Sequence, residues 1–178
     1  MKQSRWYLLV LASVAALAAI MMAQEAKPVL SPAGEASVKF EDGKTVTIKY
    51  SRPSMRARKV YGELVPYGQI WRTGANAATT LTTDANLDIG GTAVPAGAYT
   101  LYTVPGQNQW QLVVNKQTGQ WGTKYDQGQD FARIPMKVAQ LQSGLETFTI
   151  SFDKTGARSA TLTLDWENTT ASVNVSEK

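Results

Sequence analysis

The chain has 178 residues, enough for one domain with a sizeable core. Hydrophobic residues make up 43% and charged residues 18%, a composition that excludes a disordered chain and a coiled coil. The formal net charge is +4, and without Lys2 and Arg5, which lie in a leader described below, 16 basic residues face 14 acidic ones. This excess is too weak to predict a nucleic-acid surface.

Two residue types are missing from the sequence. It has no Cys and no His, which excludes disulfides, thiol nucleophiles, the Ser-His-Asp triad and metal sites built from these ligands. No phosphate-cradling or metal-binding motif occurs. We therefore predict no catalytic residue, no metal and no cofactor, and any chemistry would depend on Asp, Glu, Lys, Tyr or Arg.

Residues 1–23 resemble a secretory signal peptide. Lys2 and Arg5 supply its positive start, and the stretch from Leu8 to Ala23 is apolar apart from one Ser. This stretch is short for a membrane span. We predict cleavage near Ala23, with an uncleaved anchor as the alternative, and a periplasmic or secreted protein that contacts the membrane only through this segment. Residues 24–35, with two prolines and a glycine, are predicted to be a tether.

From residue 36 to residue 178 the pattern predicts one β domain. Apolar residues alternate with polar ones before and after Asp42-Gly43, which predicts a hairpin. Similar short segments recur with turn signals about every 8–12 residues. Pro135 marks an edge strand or a bulge. We predict an all-β, antiparallel, jelly-roll-like β-sandwich of about nine or ten strands.

Two long loops interrupt this pattern, at residues 51–78 and 115–130. Long loops inside a compact domain are usually functional or packed as Ω-loops. The first loop is rich in arginine, proline and glycine, and the second holds Trp121, Tyr125 and several polar side chains.

Four segments carry a resemblance to a known family. They are Tyr50-Ser51-Arg52-Pro53, the run from Val65 to Asn76 with its Trp-Arg-Thr-Gly-Ala-Asn motif, Pro95 to Tyr99, and Trp121-Gly122. They resemble the bacterial domain-of-unknown-function family twenty-nine eleven, over about Ser31 to Val175. The resemblance implies export and one β domain, and it implies no activity. Members often have Glu after the motif's Asn, where this chain has Ala77.

The loops supply the candidate ligand-binding residues. Arginines suit anions, aromatic rings suit sugars and apolar groups, and amides and carboxylates suit polar groups. The most favoured function is a module that binds a small molecule, a peptide or a glycan. The alternatives are a structural or envelope-assembly protein and a hydrolase that pairs Asp130 with Glu146 or Asp165. The candidate residues are Arg52, Arg72, Asn76, Asn115, Trp121, Tyr125, Asp130 and Arg133.

Arg72 allows two interpretations. Next to Trp71, which we expect to be buried, its charge needs a partner. The guanidinium either pairs with an internal carboxylate, Asp130 or Glu146, or faces a cleft beside Arg52 or Arg133 and holds an anionic group.

Overall fold

The computed structural model describes residues 30–178, which form nine strands joined by turns and two long loops. The predicted signal peptide and residues 24–29 lie outside the described residues. The first strand includes residues 33–35, which we assigned to the tether. The strands are β1 (Ala33–Lys39), β2 (Thr45–Ser51), β3 (Thr79–Thr83), β4 (Leu87–Ile89), β5 (Thr92–Val94), β6 (Gly97–Val104), β7 (Gln109–Asn115), β8 (Asp130–Gly156) and β9 (Ser159–Glu177), with one 3-10 turn at Gln127–Gln129.

The first hairpin, β1 and β2, forms where the Asp-Gly signal predicted it. Val38 and Ile48 are buried, and their neighbours along each strand are more exposed. Gly43 has a φ of +94°, which glycine adopts without steric strain. The amide of Phe40 donates to the carbonyl of Lys44 at 2.8 Å and closes the turn.

All neighbouring strands are antiparallel, which confirms the predicted all-β antiparallel fold. The order in the sheet is β1-β2-β3-β6-β7-β8-β9-β4-β5 among the described residues. These nine strands belong to one hydrogen-bonded sheet, which is consistent with a sandwich. The jelly-roll detail stays a prediction.

The two longest strands, β8 and β9, replace several shorter predicted ones. The register of β8 on β9 shifts between Gln140 and Leu145 and again before Thr149, and such irregularities bend a strand without ending it. Pro135 lies in the first part of β8, which pairs with β7 and, within residues 30–178, with no second strand. A one-sided stretch tolerates the missing amide hydrogen of proline.

The core lies between the inward faces of the bent sheet. Trp110, Trp166 and Phe148 are at most 1% exposed and are among its largest side chains. Tyr50 on β2 reaches across to β8, where its hydroxyl accepts the amide hydrogen of Ile150 at 2.9 Å. The described residues contain no helix with the length and hydropathy needed to span a bilayer.

The two long loops, residues 52–78 and 116–129, contact each other directly. The amide of Gly122 donates to the carbonyl of Asn76 at 3.0 Å, and that of Ala78 donates to Gln120 at 3.2 Å. Backbone bonds therefore fix the position of one loop on the other. This contact places the site described next.

Candidate functional site

A cleft of about 540 Å³ lies between the two loops. Its charged lining consists of Arg56, Arg58 and Arg72, and none of the described residues that line it is Asp or Glu. Among the eight predicted site residues, Arg72, Asn76 and Tyr125 line it. The cleft is therefore a cationic site whose charge is not balanced by lining carboxylates.

The base of the cleft is an aromatic cluster shared with the core. Trp71 stacks on Trp166 with ring centroids 5.9 Å apart and 18° between the planes, and it meets Phe148 edge-on at 5.0 Å. The indole N–H of Trp166 donates to the carbonyl of Glu146 at 3.0 Å. We expected Trp71 to be buried, but it is only half-buried and lines the cleft. Large packed rings make this base rigid.

The Trp71–Asn76 segment is held by β6 and β3. Trp71 exchanges backbone hydrogen bonds with Thr103 at 2.7 and 2.9 Å. The buried hydroxyl of Thr73 donates to the hydroxyl of Thr103 at 3.1 Å, and Thr79 donates to the carbonyl of Thr73 at 2.8 Å. Gly74 has a φ of +152°, a conformation that residues with a side chain rarely adopt. These bonds fix the backbone on both sides of Arg72, which lines the cleft.

A second turn, Met55–Arg58, carries the other two arginines. The amide of Arg58 donates a hydrogen bond to the carbonyl of Met55 at 3.1 Å and closes this turn. The central residues, Arg56 and Ala57, have φ of 52° and 58°. The Glu146 carboxylate accepts the amide hydrogen of Arg56 at 2.8 Å. That carboxylate therefore orders the backbone of the turn, whereas the guanidinium of Arg56 donates to the carbonyl of Leu30 at 2.7 Å.

Backbone strain is concentrated in this loop. The described chain has five non-glycine residues with positive φ, and four of them lie in residues 52–78. Thr73 is notable because β-branched residues rarely adopt this conformation. Each such residue costs roughly 1–3 kcal/mol, and they cluster at ligand sites. The four residues are Arg56, Ala57, Thr73 and Asn76.

Because Gly122 has no side chain, the side chain of Arg72 can occupy the space next to it. A Cβ at Gly122 would lie 2.6 Å from Cδ of Arg72 and 2.8 Å from the carbonyl oxygen of Asn76. No side chain fits there without moving the backbone, so a glycine is needed at this contact. The sequence reasoning named Trp121 and Gly122 only as part of a motif, and the structure gives the glycine a physical role.

Arg72 forms no ion pair with a carboxylate in residues 30–178. Its hydrogen bond within these residues is a long one, 3.4 Å from Nε to the carbonyl of Gly74. Pairing with Asp130 or Glu146 is therefore not observed. A guanidinium has five N–H donors, so most donors of Arg72 have no partner in the described part of the chain.

Four predicted site residues form one hydrogen-bonded network beside the cleft. The Tyr125 hydroxyl donates to Asp130 at 2.6 Å and accepts from Arg133 at 2.7 Å. Arg133 also pairs with Asp130 at 3.0 Å, and the Asn115 amide donates to the other carboxylate oxygen at 2.9 Å. Burial, followed by the hydrogen bond to Asp130, raises the pKa of Tyr125 to about 12. This network positions a neutral Tyr125 at the cleft.

Two predicted site residues lie elsewhere. Arg52 donates to the carbonyl of Phe148 at 3.4 Å and to the hydroxyl of Thr149 at 3.0 Å, so it ties the loop to β8. Trp121 is 54% exposed but does not line the cleft. For the hydrolase alternative, Asp130, Glu146 and Asp165 do not line the cleft either, so its geometry offers that alternative no support.

Sequence reasoning missed Arg56 and Arg58 as site residues, although it noted the basic residues of the first loop. It also missed the apolar side of the cleft. The available signal was the density of arginines between Arg52 and Arg72. Turns with strained φ decide which of these arginines face the same cleft, and the sequence does not reveal such turns. The apolar lining includes Leu30, Leu64, Pro66 and Ile70.

Comparison with known proteins identifies a family for almost the whole described chain. A family model described as "Protein of unknown function (DUF2911)" matches residues 31–175, which confirms the resemblance inferred from the sequence. No curated protein and no solved structure matches the chain.

Proposed function

The chain belongs to the DUF2911 family of unknown function, and we propose from its cleft that it binds a small ligand through an anionic group. The observation that carries this proposal is a cleft whose charged lining, in the described residues, is three arginines without a carboxylate. Guanidinium groups match the planar oxygen pairs of carboxylates and the oxygens of phosphates.

Hydrogen bonding within the cleft supports the proposal. Arg58 donates from Nε to the carbonyl of Met55 at 2.9 Å and from its terminal nitrogen to Ser54 at 3.0 Å. Arg56 uses a terminal nitrogen for Leu30. Carbonyls orient these guanidinium groups but do not neutralise them. An anion would gain charge-assisted bonds in a site where the cations are already positioned.

The cleft supports small-ligand binding over the two alternatives. A scaffold needs no concave site between its loops, whereas ligand sites are concave and largely preformed. A carboxylate hydrolase needs its carboxylates in the site, and they lie outside the lining. Glycan binding through Trp121 stays a prediction, because that ring lies outside the cleft.

The test is a nuclear magnetic resonance titration of the arginine Nε–H signals with inorganic phosphate and with succinate at low salt. We expect the Arg72 signal to shift and saturate with each probe. Arg72→Gln should weaken binding by about ten-fold or more, with a change in unfolding free energy within about 0.5 kcal/mol, because no internal ion pair is lost.

Lys59→Gln is the matched control. Lys59 is an exposed cation of the same loop but does not line the cleft, so this change should leave binding intact. Equal binding by the wild type and Arg72→Gln would refute the proposal. So would the absence of any saturable shift with either anion.

Export is a separate part of the proposal and rests on the sequence of residues 1–23. We expect the protein in the cell envelope or the medium, with a mature chain that begins near Gln24. Mass spectrometry of the fractionated protein checks this expectation. An intact leader on cytoplasmic protein would contradict it.

A further inference from the structure

We propose that the ligand is an amphiphile, with an anionic head at the arginines and a single aliphatic chain against the apolar side of the same cleft. This inference rests on the proposed function, since it concerns the same site. The observation behind it is the position of exposed aliphatic side chains, which is independent of the arginines.

Exposed aliphatic side chains of the described residues are concentrated at the cleft. Leu30, Leu64 and Ile70 are 64%, 41% and 37% exposed, and all three line it. The other large hydrophobic residues with comparable exposure are aromatic: Tyr67, Trp121 and Phe131. Scattered exposed hydrophobics need no explanation, but a cluster inside one concave site indicates an apolar partner.

Leu64 is exposed because of its local backbone structure. The amides of Leu64 and Val65 donate to the carbonyls of Lys59 and Val60, at 3.4 and 2.8 Å, which closes a tight turn. Val60 and Val65 are at most 3% exposed. The buried valines fix the turn on the core, so Leu64 is held at the cleft before any ligand arrives.

Ile70 is fixed in a similar way. On one side, the amide of Gly68 donates to the carbonyl of Pro105 at 2.8 Å, and on the other, Trp71 pairs with Thr103. A preset apolar surface loses little conformational entropy on binding, which favours affinity. Burial of these side chains by a ligand would remove apolar surface from water, which favours binding.

The two chemistries lie side by side in one space. The same lining contains Arg58, Leu64, Ile70 and Arg72, and the methylene stems of arginines extend an apolar surface while their heads stay polar. A free anion would use half of this lining and a neutral hydrocarbon the other half. An acid with an aliphatic chain uses both.

The experiment compares acetate, dodecanoate, dodecyl phosphate and dodecanol, all below their micellar concentrations, by calorimetry on the full mature chain. We expect at least one of the two long-chain anions, dodecanoate and dodecyl phosphate, to bind more tightly than acetate by a factor of about ten or more. We expect dodecanol to bind more weakly than that anion. Tighter binding of dodecanoate would indicate a fatty acid, and tighter binding of dodecyl phosphate would indicate a single-chain phospholipid.

Substitutions test the apolar side and the cationic side of the cleft separately. Ile70→Ser and Leu64→Ser should each weaken the long-chain acid several-fold and leave acetate unchanged, whereas Arg72→Gln should weaken both. Phe131→Ser is the matched control, because Phe131 is 39% exposed yet outside the cleft. It should change neither affinity.

Two failures are distinguishable. If Arg72→Gln weakens acetate and dodecanoate equally while Ile70→Ser and Leu64→Ser change nothing, the amphiphile is excluded and the anion site stands. If Arg72→Gln leaves every affinity unchanged, the proposed function fails with the inference. Dodecanol binding as tightly as dodecanoate would also overturn the amphiphile.

Discussion

Two groups of charges in this protein are arranged in opposite ways. At the end of β9 the Glu177 side chain is fully buried, and it pairs with Lys44 and with Arg158, the latter at 3.1 Å. In the cleft, Arg56, Arg58 and Arg72 face a site that no described carboxylate lines. The first group satisfies its charge internally and joins the β1–β2 turn to the C-terminal strand. The second has no carboxylate among the described residues that line its site.

The difference shows what each group contributes. A buried carboxylate with two cations ties together distant parts of the chain, so its removal should affect stability. Cations whose hydrogen-bond partners are carbonyls add little to stability, and in the proposed function they would bind an anion. The comparison therefore predicts that substitutions at the two places separate stability from binding.

The largest effect on stability is expected for Glu177→Gln. It removes the charge between Lys44 and Arg158, and charge-assisted hydrogen bonds contribute about 1.5–3 kcal/mol each. Because both cations are partly exposed and can regain water, we expect a net loss of about 2 kcal/mol, measured by urea unfolding.

Glu35→Gln provides the matched control for that change. Glu35 and Lys49 form a pair at 3.8 Å with both side chains more than half exposed, and such pairs contribute about 0–1 kcal/mol. A loss at Glu177 no larger than the loss at Glu35 would show that the buried cluster does not differ from a surface pair.

Gly122→Ala should produce a smaller loss, about 1–2 kcal/mol, together with weaker anion binding. The new Cβ would collide with the stem of Arg72 and with the carbonyl of Asn76, so the two loops must separate and Arg72 must move. Thermal unfolding and a phosphate titration check the two effects.

Gly128→Ala is the control within the same loop. Its Cβ would meet only the Asp126 side chain, at 3.2 Å, so its effect on stability should stay within about 0.5 kcal/mol. Full anion affinity in Gly122→Ala would contradict the role given to this glycine.

The smallest effect is expected for Tyr125→Phe, which removes the hydroxyl between Asp130 and Arg133. We expect a loss of about 0.5–1.5 kcal/mol near neutral pH. The folded protein raises the pKa of Tyr125 from 10.0 to about 12. A pKa that is higher in the folded protein than in the unfolded chain stabilises the fold at any pH below the pKa of the unfolded chain. This stabilisation is lost as the pH rises through the pKa of the folded protein.

The stability difference between wild type and Tyr125→Phe should therefore shrink between about pH 10 and pH 12. Urea unfolding of both proteins across this range measures it, and the subtraction removes the titration of other tyrosines. A difference that stays constant up to pH 12 would contradict the hydrogen-bonded arrangement of Tyr125 and Asp130.

The sequence by itself determined the class of fold, the first hairpin and the approximate number of strands. Alternation of apolar residues and turn signals such as Asp42-Gly43 act locally, so they can be recognised without tertiary information. The two long loops and the membership of the family were also predicted from the sequence. The lengths of β8 and β9 were not, because bulges let a strand continue through segments whose pattern shifts.

Only the tertiary structure decided which charged side chains share a site. Arg52 and Arg72 look equivalent in the sequence, yet the first bonds to β8 and the second faces the cleft. The same holds for Asp130, which pairs with Arg133 instead of Arg72. The contact of Arg52 joins the first long loop to β8 across 97 positions of the chain. Asp130 and Arg133 are only three positions apart, but their pairing belongs to a network that also needs Asn115 and Tyr125 in place, and no local propensity encodes either arrangement.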